Sequence, residues 1–161
     1  MRKIDVYIGL GSNIGDRKAT MRVAIARLRT VVEVCKISNL YVAAPLGYVR
    51  DDAFVNCAVF ARTNLSPFDL LRELQVIETA LGRQPGVQYG PRPIDLDILF
   101  YGTSEIDNPL LKIPHPLIPQ RAFVLKPLAE IAPSLVHPML YYTIKQLLQD
   151  AEDAQQVRLF A

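Results

Sequence analysis

Gly90-Pro91-Arg92-Pro93-Ile94-Asp95-Leu96-Asp97-Ile98-Leu99 joins a stiff turn to a strand. Pro91 and Pro93 fix their own φ and bias Gly90 and Arg92 toward extended backbone, which holds the chain around Arg92. From Ile94 the residues alternate, so the period of two puts Ile94, Leu96 and Ile98 on one face and Asp95 and Asp97 on the other. A rise of about 3.3 Å per residue sets the two carboxylates roughly 6.5–7 Å apart at Cβ. Their repulsion calls for a cation, and Mg²⁺ with phosphate ligands meets it. A solvated strand face beside a turn is the alternative; the adjoining Arg92 and the prolines weigh against it.

Upstream, residues 3–10 alternate Ile4, Val6, Ile8 and Leu10 against Asp5, Tyr7 and Gly9, which predicts a strand. Residues 9–16, Gly-Leu-Gly-Ser-Asn-Ile-Gly-Asp, read as a turn with helix-capping residues, and Met21, Ile25 and Leu28 recur at helical spacing after it. A strand, a glycine turn and a helix would suit a dinucleotide fingerprint. Gly9, Gly11 and Gly15 are spaced one residue too far for it, so a structural turn is expected, with Ser12 and Asn13 facing a neighbouring site. Residues 31–41 and 54–63 predict two more strands. On the second of these Phe54, Asn56, Ala58 and Phe60 share a face, and an amide beside an aromatic ring can grip a flat heterocycle; a surface Asn beside a core Phe is the plainer reading. Ser66 and Pro67 start a helix with an N-cap and an N1 proline, Leu70, Leu74, Ile77 and Leu81 form its buried stripe, and Gly82 ends it. Gln75 and Glu78 read as solvated positions on a neighbouring face.

Downstream, His115 lies between Pro114 and Pro116 and near Arg121 and Phe123, where it can meet a phosphate or another ligand. His137 reads as structural. A short helical segment is expected through residues 129–131, and a last helix from Thr143 to Ala154.

The bulk properties suit one domain over residues 1–161. Half the residues are hydrophobic, charged residues make up 21%, and the net charge is +2. That near balance argues against a nucleic-acid partner. No apolar run reaches the ~20 residues of a membrane span, and the chain enters a strand at once, so a soluble, cytoplasmic protein is expected. Cys35 and Cys57 are expected to be buried, reduced thiols.

A carboxylate pair, several arginines, a held histidine and an Asn flanked by aromatics suit phosphoryl-type transfer, in which positioning and charge neutralisation supply most of the catalysis. No Ser or Cys has a nucleophile context, and no P-loop is present. The decapeptide closely resembles the signature of the 6-hydroxymethyl-7,8-dihydropterin pyrophosphokinases. The resemblance extends along the chain: residues 9–16, Pro45-Leu46-Gly47, Phe54-Val55-Asn56, Ile77-Glu78 with Gly82-Arg83, residues 113–116, residues 121–125, and Pro127-Leu128 with residues 130–133.

The resemblance implies an α+β, ferredoxin-like fold, a mainly antiparallel sheet with helices packed on it. It implies that a pterin hydroxymethyl oxygen attacks the β-phosphorus of MgATP, the co-substrate, giving AMP and the pterin diphosphate in folate biosynthesis. Asp95 and Asp97 would hold two Mg²⁺ ions. Arg92, His115 and Arg121 would meet phosphate oxygens, and Gln75, Glu78, Arg83 and Ile98 would line the nucleotide side. Phe54 and Phe123 would sandwich the pterin, with Asn56, Asp95 and the Pro45-Leu46-Gly47 backbone at its polar edge. The partners are then small molecules, and the chain a monomer or weak homo-oligomer. Between Gly82 and Gly90 this chain has Arg83 alone where the family supplies several arginines, and Tyr89 where it often has Trp. Leu110 stands where the family often has an arginine. A non-catalytic or slow ferredoxin-like module that binds nucleotide or pterin is the alternative.

Overall fold

A computed structural model gives the fold; it describes residues 2–43, 52–83 and 92–160. Pro45, Leu46, Gly47, the segment 84–89 with Tyr89, Gly90 and Pro91 lie outside the described residues.

The strands are β1 (Ile4–Ser12), β2 (Glu33–Ile37), β3 (Tyr41–Ala43), β4 (Val55–Thr63), β5 (Asp95–Tyr101), β6 (Ile106–Asn108), β7 (Leu111–Ile113) and β8 (Val157–Leu159). The helices are α1 (Arg17–Leu28), α2 (Pro67–Ala80), α3 (Ala122–Ile131) and α4 (Ile144–Asp150). The main sheet runs β5-β1-β4-β3-β8, with β2 beside β3 on the same edge of β4, and all its pairings are antiparallel. This is the α+β, ferredoxin-like arrangement expected from the sequence. Among the described residues no helix is long and apolar enough to cross a membrane.

The sheet separates two apolar layers. Val6, Ile8, Leu10, Leu96 and Ile98 pack against Met21, Ala24, Leu28, Leu70 and Leu74 of α1 and α2. On the other face Ala58, Leu99 and Phe100 meet Leu125 and Leu128 of α3 and Ile144 and Leu147 of α4. The helix starts follow the expected chemistry. Asp16 accepts from Ala19 N–H at 3.0 Å and Ser66 from Asp69 N–H at 3.2 Å, while Gly82 with φ +102 lets the chain turn after α2.

Several expectations are corrected. The strand expected over 31–41 is two, β2 and β3, separated at residues 38–40, where Ser38 N–H donates to Ala58 O and Ser38 Oγ to Asn39 O. Cys35 is exposed, not buried; the register of β2 on β4 shifts between Val34 and Lys36, which leaves Cys35 unpaired at a bulge on an edge strand. Cys57 is buried, as expected. The helical segment expected at 129–131 is the end of a ten-residue α3 that begins at Ala122. Pro127 inside it obscured the pattern, because a proline lacks the N–H an interior position needs. α4 ends at Asp150, not Ala154, although Thr143 and Gln146 start it with a capping box.

Candidate active site

Two rows of residues across the sheet make the floor of the site. Asp97 pairs with Gly9 and Gly9 with Ala58; Asp95 pairs with Gly11 and Gly11 with Asn56. The glycines leave the centre of each row flat. A Cβ on Gly11 would lie 2.9 Å from Asn56 Oδ1 and 3.4 Å from Phe54 Cδ1, so only glycine lets both side chains lie there. A Cβ on Gly9 would press on Leu99 at 3.3 Å. Gly11→Ala is therefore expected to raise the Michaelis constant of any flat substrate held by Asn56 by about tenfold, with little change in thermal midpoint; steady-state kinetics beside a melting curve checks it.

One cavity of about 520 Å³ opens above this floor. Of the residues singled out in the sequence, Phe54, Asn56, Arg92, Asp95, Asp97, His115, Arg121 and Phe123 line it. Gly9, Leu10, Gly11, Ala43, Ala53, Cys57, Leu99, Leu117 and Val124 complete the walls. The glycines at alternate positions of β1 were the sequence signal for that floor; Leu117 and Val124 had none. Gln75 is exposed on α2 and Ile98 is buried in the core below the sheet, so neither reaches the cavity.

Glu78 and Arg83 lie beside the cavity wall, not in it. Glu78, expected to be solvated, is 7% exposed. Its Oε2 accepts from Leu96 N–H at 2.8 Å and from Arg83 Nη1 at 2.5 Å, which fastens the end of α2 to β5. Burial pushes its carboxyl up, and the Leu96 N–H and the Arg83 charge pull it back. The same Arg83 Nη1 lies 2.7 Å from Asp95 Oδ1, and Arg92 Nη1 donates to Asp95 Oδ2 at 3.0 Å. Asp95 is thus held between two guanidiniums.

Arg92 is itself fixed by the glycine-rich turn. Its N–H donates to Asn13 Oδ1 at 2.6 Å and its carbonyl accepts from Asn13 N–H at 3.1 Å. Asn13 therefore braces Arg92 and does not itself line the cavity. Ser12 does not line the cavity either; it is fully buried on the strand face shared with Leu10, and its Oγ has no hydrogen-bond partner among the described residues.

Asp97 opens onto the cavity and has no ion-pair partner within 4.0 Å among the described residues. Protein crowding on its other sides, and then the charge of Asp95, push its carboxyl up to about 6 against the pull of Arg83 and Arg92. Burial, and then Arg121, push the His115 imidazole down, which favours its neutral form. Its Nδ1 accepts from Leu117 N–H at 3.2 Å, which leaves the proton on Nε2 for donation. The Arg121 guanidinium lies 5.5 Å from the Phe123 ring centre, a cation–π contact at the rim. His137 is buried and structural: its Nδ1 accepts from Met139 and Leu140 N–H, and its ring meets Phe100 edge-on.

The cavity is floored by two carboxylates and rimmed by Arg92, His115 and Arg121, a lining whose chemistry suits a planar small molecule beside an anionic one. Residues 7–133 match the family model for 7,8-dihydro-6-hydroxymethylpterin-pyrophosphokinase. The chain belongs to that family. It is 40% identical over 141 residues to the 2-amino-4-hydroxy-6-hydroxymethyldihydropteridine pyrophosphokinase of Aquifex aeolicus, covering 88% of each chain. It is 48% identical over 127 residues to the enzyme of that name from Bacillus subtilis, covering 78% of this chain and 76% of that one. Among solved structures, an HPPK-DHPS of Plasmodium falciparum superposes with a TM-score of 0.77 at 16% identity, over 98% of this chain and 48% of that one, which shows the same fold.

Proposed function

We infer that the chain, as one pyrophosphokinase domain over residues 1–161, transfers the pyrophosphoryl group of ATP to the hydroxymethyl oxygen of 6-hydroxymethyl-7,8-dihydropterin. AMP is released and the pterin diphosphate serves folate biosynthesis. The row Asp95, Gly11 and Asn56 carries the reading, because it sets a phosphate-side carboxylate and a pterin-side amide on one floor with only a glycine between them. Phe54 and Phe123 line the same cavity and supply aromatic faces for the pterin. Asn56 offers both a donor and an acceptor to its amide edge.

Asp95 and Asp97 supply hard oxygen donors only, and no cluster of three or more His, Cys, Asp or Glu able to hold a metal occurs among the described residues. That donor set fits Mg²⁺, which takes one or two carboxylates and completes its octahedron with water and phosphate oxygens. We propose that Asp95 and Asp97 together would hold two such ions. Bound there, Mg²⁺ would supply charge neutralisation of the triphosphate and a lowered pKa at the attacking hydroxyl. The side chains do the rest. Arg92 and Arg121 meet the charge on the transferred group, and neutral His115 donates from Nε2 to a phosphate oxygen. Arg83, moored by Glu78, holds Asp95 in place. We propose small-molecule partners and a monomer or weak homo-oligomer. The exposed free thiol of Cys35 suits a reducing, cytoplasmic setting.

Incubation with ATP, Mg²⁺ and the pterin should yield AMP. ADP would point to single phosphoryl transfer, and no pterin-dependent turnover would favour a binding module. A pH series gives a second check. A protonated Asp97 cannot ligate a cation, so with its carboxyl at about 6 the apparent Mg²⁺ affinity should fall as pH drops from 7 to 5, where an ordinary carboxylate with a pKa of about 4 would remain charged. Calorimetric titration with Mg²⁺ and a non-hydrolysable ATP analogue, run beside Asp97→Asn so that the analogue's own phosphate titration is subtracted, reads this.

A further inference from the structure

We propose that the C-terminal segment, residues 151–160, is a clamp that sets both walls of the substrate cavity, with Asp153, Lys126 and Arg17 as its positioning residues. The proposal rests on the reading of that cavity as the pterin site. The segment lies beyond residues 7–133, the part of the chain that the family model matches. None of its residues lines the cavity.

The first wall is the start of α3, which brings Phe123 and Val124 to the cavity just after Arg121. This helix has no side-chain cap of its own; Arg121 occupies the N-cap position with extended backbone. A carboxylate from far along the chain takes the place of a cap, because Ala122 N–H donates to Asp153 Oδ1 at 3.3 Å. A negative charge at a helix N-terminus also interacts favourably with the helix dipole. One turn on, Lys126 Nζ donates to Ala154 O at 3.3 Å and to Val157 O. Ala122 and Val157 are buried together with Tyr41, and Phe123, Ala151 and Ala154 pack around them. The first two turns of α3 are therefore fastened from outside by the C-terminal segment.

The second wall is formed by Ala43 and the Ala53-Phe54 pair. β8 pairs with β3 in the register Ala43 with Val157 and Tyr41 with Leu159, and Tyr41 is in turn the β4 neighbour of Asn56. After β8, Phe160 N–H donates to Leu40 O. Its ring lies 5.0 Å from the Arg17 guanidinium, and Arg17 Nη1 donates to Ala53 O at 2.5 Å. Arg17 thus joins the C-terminal Phe160 to the backbone immediately before Phe54. The two aromatic residues proposed to face the pterin are each one or two residues from a contact made or backed by the clamp.

Steady-state kinetics on the full chain tests this, with Asp153→Ala and Lys126→Met for the first wall and Arg17→Gln for the second. Each is expected to raise the KM for 6-hydroxymethyl-7,8-dihydropterin by about five- to tenfold while kcat and the KM for ATP stay within about twofold. Asp153→Asn keeps an acceptor oxygen for Ala122 N–H and should restore most of the pterin KM lost in Asp153→Ala. Lys126→Met and Arg17→Gln, on different elements, carry the test if Asp153→Ala does not fold. An unchanged pterin KM with only a lower melting temperature would make the segment a structural support and overturn the proposal, as would an equal rise in both KM values. Absence of pterin-dependent turnover in the unaltered chain would instead sink the pterin reading, and this proposal with it.

Discussion

Asp97→Ala is expected to lower turnover at least about a thousandfold and to leave the fold in place. The magnitude is that of removing one group aimed at charge developing in a transition state, at the upper end of its usual range. Asp97 opens onto the cavity and belongs to no ion pair within 4.0 Å among the described residues, so no ion pair is lost with it. Protein crowding, and then the charge of Asp95, make its ionised form a cost to the metal-free protein, in line with the upward push on its carboxyl to about 6. The metal-free thermal midpoint should therefore hold or rise by a few degrees, since about 1 kcal/mol moves a domain of this size by about 2–4 °C. AMP release and a melting curve, read on the same preparation, separate loss of chemistry from loss of fold. Retained turnover would remove Asp97 from the metal site.

Glu78→Ala is expected to act through stability first. The change takes the acceptor from Leu96 N–H, which is buried at the start of β5, and leaves Arg83 with Asp95 as its only ion-pair partner among the described residues. An orphaned buried N–H costs about 1–3 kcal/mol, and with the broken charge pair the total is roughly 2–4 kcal/mol. Because Arg83 and β5 together hold Asp95, kcat should fall as well, by about ten- to a hundredfold. Glu78→Gln retains an oxygen for Leu96 N–H and loses only the charge, so it should recover most of the stability and less of the rate. Denaturant unfolding of both variants, with kinetics, checks the order. Equal stability of Glu78→Ala and the unaltered chain would contradict the role given to the Leu96 bond.

What was legible in the sequence was whatever depends on local periodicity. The alternation from Ile94 to Ile98 placed Asp95 and Asp97 on one face, and the register with Gly11 and Gly9 agrees. Ser66-Pro67 and Gly82 bounded α2 for the same kind of reason. What the sequence hid depends on partners distant along the chain. Glu78 read as solvated because nothing nearby shows that Leu96 N–H and Arg83 will surround it. Cys35 read as buried because a bulge against β4 is set by pairing, not by the composition of β2. The first turns of α3 were missed because Pro127 breaks the helical pattern, while the contacts that hold that helix, from Asp153 and to Ala154 and Val157, come from some 30 residues on. The site followed the same division: its carboxylates, arginines and aromatics could be found one by one, whereas Asn13 as the brace of Arg92 needed the fold.

The central claim is that the β- and γ-phosphoryl groups move together from ATP to the pterin. ATP labelled at the β-phosphorus, turned over with Mg²⁺ and 6-hydroxymethyl-7,8-dihydropterin, tests it most directly. The label should leave the nucleotide and appear in the pterin product as AMP accumulates. Label retained in ADP would contradict the account.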